Sequence, residues 1–163
     1  MARDPRWSRV EETYGEDPYL NGVMGTALVR GFQGETLNDG KSVIATLKHF
    51  ASYGWTEGGH NGGTAHIGER ELEEAIFPPF REAVGAGALS VMSSYNEIDG
   101  NPCTGSRYLL TDILKDRWQF KGFVVSDLYA VGGLREHGVA GNDYEAAIKA
   151  VNAGVDSLSL IHI

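Results

Sequence analysis

Short unbroken apolar runs alternate along this chain with longer stretches in which apolar residues recur every three or four positions. The short runs span about 43–48, 88–93, 122–126 and 154–160, and each predicts a strand. Helical periodicity lies between them. Residues 18–32 carry Leu20, Val23, Met24, Ala27, Leu28 and Phe32 at helical spacing. Residues 69–86 carry a stripe of Leu72, Ala75, Ile76, Phe80, Ala83 and Val84, with Pro78-Pro79 expected to break or kink the helix. Residues 107–118 turn Leu109, Leu110, Ile113, Leu114 and Trp118 inward and Thr111, Asp112, Lys115 and Asp116 outward. Residues 142–153 start from an Asn142 or Asp143 cap and stop near Gly154.

Strand starts about 32 to 45 residues apart fit βα units, so the fold class is α/β. Four such units do not close a barrel, which takes eight. Either a small open sheet or part of a barrel satisfies the pattern. The chain opens on the loop-like Asp4-Pro5-Arg6-Trp7-Ser8-Arg9 and stops at Asp156 to Ile163 inside a strand pattern. Both ends favour a fragment, and leave open whether Leu160 to Ile163 belong to the natural sequence.

The strand patterns end in chemistry. Gly122-Phe123-Val124-Val125-Ser126 runs into Asp127, Val43-Ile44-Ala45-Thr46-Leu47 into Lys48-His49, and Ala88-Leu89-Ser90-Val91-Met92 into Ser93-Ser94-Tyr95-Asn96. In a barrel of alternating strands and helices, active sites sit at that end of the strands. Asp127 reads as a helix N-cap or as a nucleophilic or basic carboxylate. Lys48 and His49 read as an ion-paired lysine and a core histidine, or as donors to a polyhydroxylated ligand. The Tyr95 phenol is placed to donate to a carboxylate and favour its ionised form, and Asn96 to donate to a ligand hydroxyl or to turn the chain.

Composition narrows the classes. The net charge of −8, with no basic cluster, argues against a nucleic-acid partner, and no apolar run is long enough to span a membrane. The start lacks the apolar stretch of a signal peptide, and localisation stays open. Cys103 is the lone cysteine, so no internal disulfide forms, and it reads as a small core hydrophobe. The glycine-rich segment Gly54 to Gly63 lacks a phosphate-loop pattern; Trp55 within it suits a sugar-stacking platform. His60 and His66 are too weakly placed to be metal ligands; no metal and no cofactor are expected. Glu69, Glu71, Glu73 and Glu74 read as a solvated helix start, and His137 and His162 carry no signal.

Taken together, these segments resemble the catalytic barrel of glycoside hydrolase family 3, the β-glucosidase and β-xylosidase group. The matching motifs are Asp4-Pro5-Arg6-Trp7-Ser8-Arg9 with Glu12-Thr13-Tyr14-Gly15-Glu16-Asp17-Pro18, then Lys48-His49-Phe50, Met92-Ser93-Ser94-Tyr95-Asn96, and Gly122 to Asp127. The resemblance implies that residues 1–163 are a partial (β/α)8 barrel domain of TIM type, without the barrel start and a C-terminal α/β sandwich domain. It implies a retaining, exo-acting β-glycoside hydrolase of β-glucosidase type, acting on β-linked oligosaccharides or aryl and alkyl glycosides in carbohydrate catabolism. Asp127 matches the nucleophile; Arg9, Lys48 and His49 match residues that hold sugar hydroxyls; Tyr95 stands beside the nucleophile and Met92 lines the pocket. Ser8 stands where the family usually has Gly, and Leu128 where many members have Trp. The family's acid/base Glu follows the barrel in the glucosidase branch, so this chain alone is expected to be weakly active or inactive. Apolar edges and helix faces are expected to be exposed. The alternatives are a β-xylosidase, a β-N-acetylhexosaminidase with His60 as acid/base but no neighbouring Asp-Ser, a Schiff-base enzyme on Lys48, and a non-catalytic sugar-binding fragment.

Overall fold

The computed structural model describes residues 1–159. Leu160 to Ile163, and with them the question of their origin and His162, lie outside the described residues. In chain order the elements are helix α1 (Pro18–Gln33), strands β1 (Thr46–Phe50) and β2 (Thr64–Ala65), helices α2 (Glu69–Glu71) and α3 (Phe77–Gly85), strands β3 (Ser90–Ser93), β4 (Glu97–Ile98), β5 (Asn101–Pro102) and β6 (Phe123–Ser126), and helices α4 (Gly133–Glu136) and α5 (Asp143–Ala153). A π-type segment, Leu72–Ile76, joins α2 to α3, and a π-type helix, Tyr108–Arg117, precedes β6.

β1, β3 and β6 form a parallel sheet in that order, each reached through helical crossovers. The register sets Leu47, Val91 and Val124 level with one another, under the helices; Val91 and Val124 are fully buried. Met92 and Val125 pair on the opposite face. The sheet and its helices are a sector of a TIM-type barrel. The helix side of the core centres on Phe50, whose ring meets Phe80 at 5.0 Å and Trp118 at 5.7 Å; Phe77 meets Trp118 at 5.3 Å. Leu109, Leu110, Ile113 and Leu114 bury the face that their periodicity predicts. Ala146, Ala150 and Ala153 give α5 a flat, fully buried seam. Cys103 is fully buried, as its isolation suggested; its Sγ lies 3.4 Å from the Ala51 carbonyl, and burial pushes the thiol up to about 12.

Two glycines are dictated by space or backbone. A Cβ on Gly122 would lie 2.0 Å from the Leu89 carbonyl oxygen, the acceptor of the Phe123 amide at 3.1 Å, so only glycine permits that approach. Gly100 at φ +83 follows Asp99 at φ +48 in the two-residue β4–β5 hairpin, the geometry that such a tight loop demands.

Three expectations change and a fourth is met. β1 begins at Thr46, not at 43, and Val43 is 60% exposed. The Val43 amide donates to the Phe32 carbonyl at 2.8 Å and that of Ala45 to Gln33 Oε1 at 3.2 Å, so these groups are spent on the end of α1. The run at 154–160 makes one ladder bridge, Val125 with Ser157. Beside it the Asp156 carboxylate accepts the Val124 amide at 2.8 Å, a side chain standing in for a strand. Pro78-Pro79 do not break the helix. They sit in the first turn of α3, where a missing amide costs nothing, and the wider turns upstream absorb the change. Finally, α1 exposes the stripe Leu20, Val23, Met24, Leu28 and Phe32 and buries Asn21, Gly22 and Val29. The buried side of α1 packs on α3, where Gly22 lies against the Glu82 carboxylate. The exposed apolar face expected of a barrel sector is therefore present.

Phe77→Ala is expected to cost about 3–5 kcal/mol in urea unfolding, because it opens the aromatic cluster. Val43→Ala, on exposed backbone, is expected to change stability by no more than about 0.5 kcal/mol. Equal effects would show that the cluster is not the core.

Candidate active site

The ends of the three parallel strands supply the site. Phe50, Ser93 and Ser126 stand level in the sheet, so the residues around them converge at one rim. The register of β1 on β3 is irregular between Leu47 and Phe50, and both the Lys48–His49 and the Phe50–Ala51 peptides are cis. His49 is buried and Lys48 is exposed, so the two neighbours approach the rim differently.

Asp127 follows β6 directly. Its Oδ1 accepts the Leu128 amide at 2.6 Å. Its Oδ2 lies 3.1 Å from His49 Nε2 but off the axis of a hydrogen bond, which leaves this buried oxygen without an aligned donor. Burial alone would raise the Asp127 carboxyl. His49, the Leu128 amide, and Tyr95 outweigh it and hold the group below the usual aspartate range. His49 moves the other way: burial, with the charges of Arg9 and Lys48, outweighs Asp127 and lowers its pKa. At neutral pH the pair is a carboxylate beside a neutral imidazole. The Tyr95 hydroxyl donates to the Leu128 carbonyl rather than squarely to Asp127. Burial and then the Asp127 charge push the phenol up to about 12, so it stays protonated beside the carboxylate.

On the other side of His49 stand two cations and a second carboxylate. Arg9 grips Glu12 with two nitrogens, Nε to Oε1 at 2.6 Å and Nη2 to Oε2 at 2.8 Å. Lys48 Nζ lies 2.9 Å from the same Oε2. Arg9, and then Lys48, hold the Glu12 carboxyl down at about 2. The Arg9 guanidinium also reaches Tyr53 OH and His49 Nε2, each at 3.4 Å, and Tyr53 packs edge-on against His49 with ring centroids 4.7 Å apart. A cavity of about 270 Å³ opens between α1 and β1. Its polar end is lined by Glu12, Lys48, His49 and Tyr53, its apolar end by Leu28 and Phe32.

The structure thus brings Lys48, His49, Tyr95 and Asp127, the strand-end residues, into one network with Arg9, which the family resemblance supplied. Met92 lies one register step before Ser93 on the face away from Val91, with no polar role. The structure decides between the two readings of Asn96, which is fully buried and donates to Ser52 Oγ at 3.0 Å while accepting from Ser94, so it shapes the loop and is closed to ligand. Trp55 has the Arg3 guanidinium over one face of its ring, 4.8 Å from the centroid. His60 is packed in its own loop against Gly58 and Gly63. Lys48 is ion-paired, and so unlike a free Schiff-base amine. Of the first-turn acids, Glu71 pairs with Arg3 at 2.8 Å and Glu73 with Arg117, so they tie elements together rather than merely meeting solvent.

Three residues escaped sequence reasoning. Glu12 carried a usable signal, since it follows Arg9 by three positions in a turn. Tyr53 carried none. His137, whose Nε2 lies 2.9 Å from the Tyr95 carbonyl, anchors the Tyr95 backbone from 42 residues away. Among the described residues no three His, Cys, Asp or Glu side chains are grouped to hold a metal ion, and no helix is long and apolar enough to cross a membrane.

This geometry has close counterparts. Residues 1–162 match the family model described as the glycosyl hydrolase family 3 N terminal domain. A periplasmic beta-glucosidase of Salmonella typhimurium is 41% identical over 156 residues, covering 96% of this chain and 20% of that protein. A beta-xylosidase of Formosa agariphila is 48% identical over 159 residues, covering 95% and 22%. The beta-glucosidase of Listeria innocua, also described in complex with glucose, superposes with a TM-score of 0.95 at 40% identity, over 99% of this chain and 23% of that one. The chain therefore spans about a fifth of the length of the relatives it matches. With the family model matched over residues 1–162 and the fold shared with these relatives, the chain belongs to glycosyl hydrolase family 3.

Proposed function

We propose that this chain carries the nucleophile and part of the sugar pocket of a retaining, exo-acting β-glycoside hydrolase of β-glucosidase type. The observation that carries the reading is Asp127: a carboxylate at the carboxyl end of a buried parallel strand, kept ionised beside His49 and Tyr95, with Arg9 and Lys48 beyond His49. Neutral sugars offer hydroxyl groups, and these four side chains offer N–H and O–H donors around an anion. The Listeria relative's glucose complex supports a gluco-configured ligand.

Retaining chemistry then assigns the steps. An Asp127 oxygen attacks the anomeric carbon as the glycosidic C–O bond breaks, forming a glycosyl ester. The leaving oxygen takes a proton from an acid. A water molecule, losing its proton to the same group, attacks the same anomeric carbon, breaks its bond to the Asp127 oxygen, releases the sugar and regenerates the carboxylate. Glu12, the other carboxylate at the site, is held ionised by Arg9 and Lys48 and is unsuited to be that acid. We assign the acid to a part of the parent protein beyond this chain, so turnover by the chain alone is expected to be slow. Beta-xylosidase relatives at 48% and 41% identity support a xylo-configured sugar as the second reading.

A 2-deoxy-2-fluoro-β-glucoside with a dinitrophenolate leaving group needs little acid help. Intact-mass analysis is expected to show one sugar adduct on the chain, mapped to Asp127 and missing in Asp127→Ala. A folded sample that takes no adduct overturns the reading. The adduct's pH dependence follows from the lowered Asp127 pKa. The ionised form persists below the usual aspartate range, so the labelling rate is expected to be flat from neutral pH down to about 4 and to fall only below it. A rate that already halves near pH 6 would contradict this assignment.

A further inference from the structure

Glu12 contributes nothing to the apolar core. It lies in an exposed turn, Val10–Glu12, that buries no residue. Yet its carboxylate makes the densest charged contacts at the site: two bonds to Arg9, at 2.6 and 2.8 Å, and one to Lys48 at 2.9 Å, with Oε2 shared between the cations. The two partners come from chain segments 39 positions apart, the turn after Trp7 and the end of β1. We propose that Glu12 is a positioning residue of the sugar site: its carboxylate clamps Arg9 and Lys48 into one donor array and keeps both cations off Asp127.

The proposal rests on the sugar-binding reading given above. Long cationic side chains are rotamer-rich, and two like charges at one rim repel. A shared carboxylate removes both difficulties before a ligand arrives. It also decides which donors remain free. Arg9 keeps Nη1 towards Tyr53 and Nη2 towards His49, and Lys48 keeps its remaining protons for a neutral hydroxyl. Without Glu12, Asp127 is the carboxylate across His49 to which a released cation would turn. The formal count around His49 is two cations and two carboxylates, a balance suited to an uncharged ligand.

The test uses the chain as it stands. Glu12→Gln keeps the shape and removes the charge, Glu12→Asp keeps the charge and shortens the reach, and Glu11→Gln changes an exposed neighbour in the same turn. Labelling by the 2-fluoroglucoside is measured across reagent concentration. The half-saturating concentration is expected to rise about tenfold to a hundredfold in Glu12→Gln, with the limiting rate changed far less. Glu12→Asp is expected to recover part of the loss and Glu11→Gln to behave as the parent. Independently, reductive methylation with formaldehyde and cyanoborohydride, mapped by peptide mass, is expected to modify Lys48 faster in Glu12→Gln. Unchanged half-saturation and unchanged Lys48 reactivity overturn the clamp. A parent chain that takes no label overturns the glycosidase reading instead, and Lys48 reactivity alone still decides the clamp.

Discussion

Everything at the rim depends on one constraint, the level parallel register of β1, β3 and β6. Val91 and Val124 can both be buried under the helices only if their strands advance together. Once they do, all three strands run out of ladder at the same height. The backbone beyond needs new partners, and polar side chains supply some of them: Thr104 Oγ1 donates to the Ser94 carbonyl, and Ser126 Oγ accepts the Ser159 amide. The functional groups are the next residues along the same chains. A rim rich in polar side chains thus follows from the end of a sheet, and chemistry uses what the sheet delivers.

The electrostatics of the rim are a balance of opposed effects. Desolvation pushes against the ionised Asp127 and against a charged His49. For the carboxylate, direct contacts win. For the imidazole, which has cations on its other side, they do not. One environment therefore leaves one group charged and its neighbour neutral. Glu12 and the Arg9–Lys48 pair form a second, more solvated balance a few ångströms away, and His49 sits between the two.

Much of this was legible in the chain. The stripe in 107–118 buried as written, because a helix against a sheet has one inward face and Leu109, Leu110, Ile113 and Leu114 occupy it. Lys48, His49 and Asp127 were legible because polar residues closing apolar runs mark strand ends. The exposure of an apolar helix face was legible from the count of strands, but which helix would show it was not: α1 packs on α3 through Asn21, Gly22 and Val29 and leaves its stripe outside. The start of β1 was misread because apolar character does not say where an amide donates, and Val43 donates to α1. The two readings of Asn96 stayed open for a related reason: a polar residue after a strand serves either the loop or a ligand, and only burial separates the two. The Glu12–Lys48 contact, 36 positions apart, is a product of folding that no local pattern contains.

Cys103 has a practical meaning of a different kind. The chain has one thiol, wholly enclosed and held far from its reactive thiolate form. In the native state it is silent towards alkylating reagents and oxidants alike. It belongs to the same buried cluster as Phe50, Val91 and Leu110. A reagent meets this sulfur only when that cluster opens, so the molecule carries its own chemical reporter of core opening.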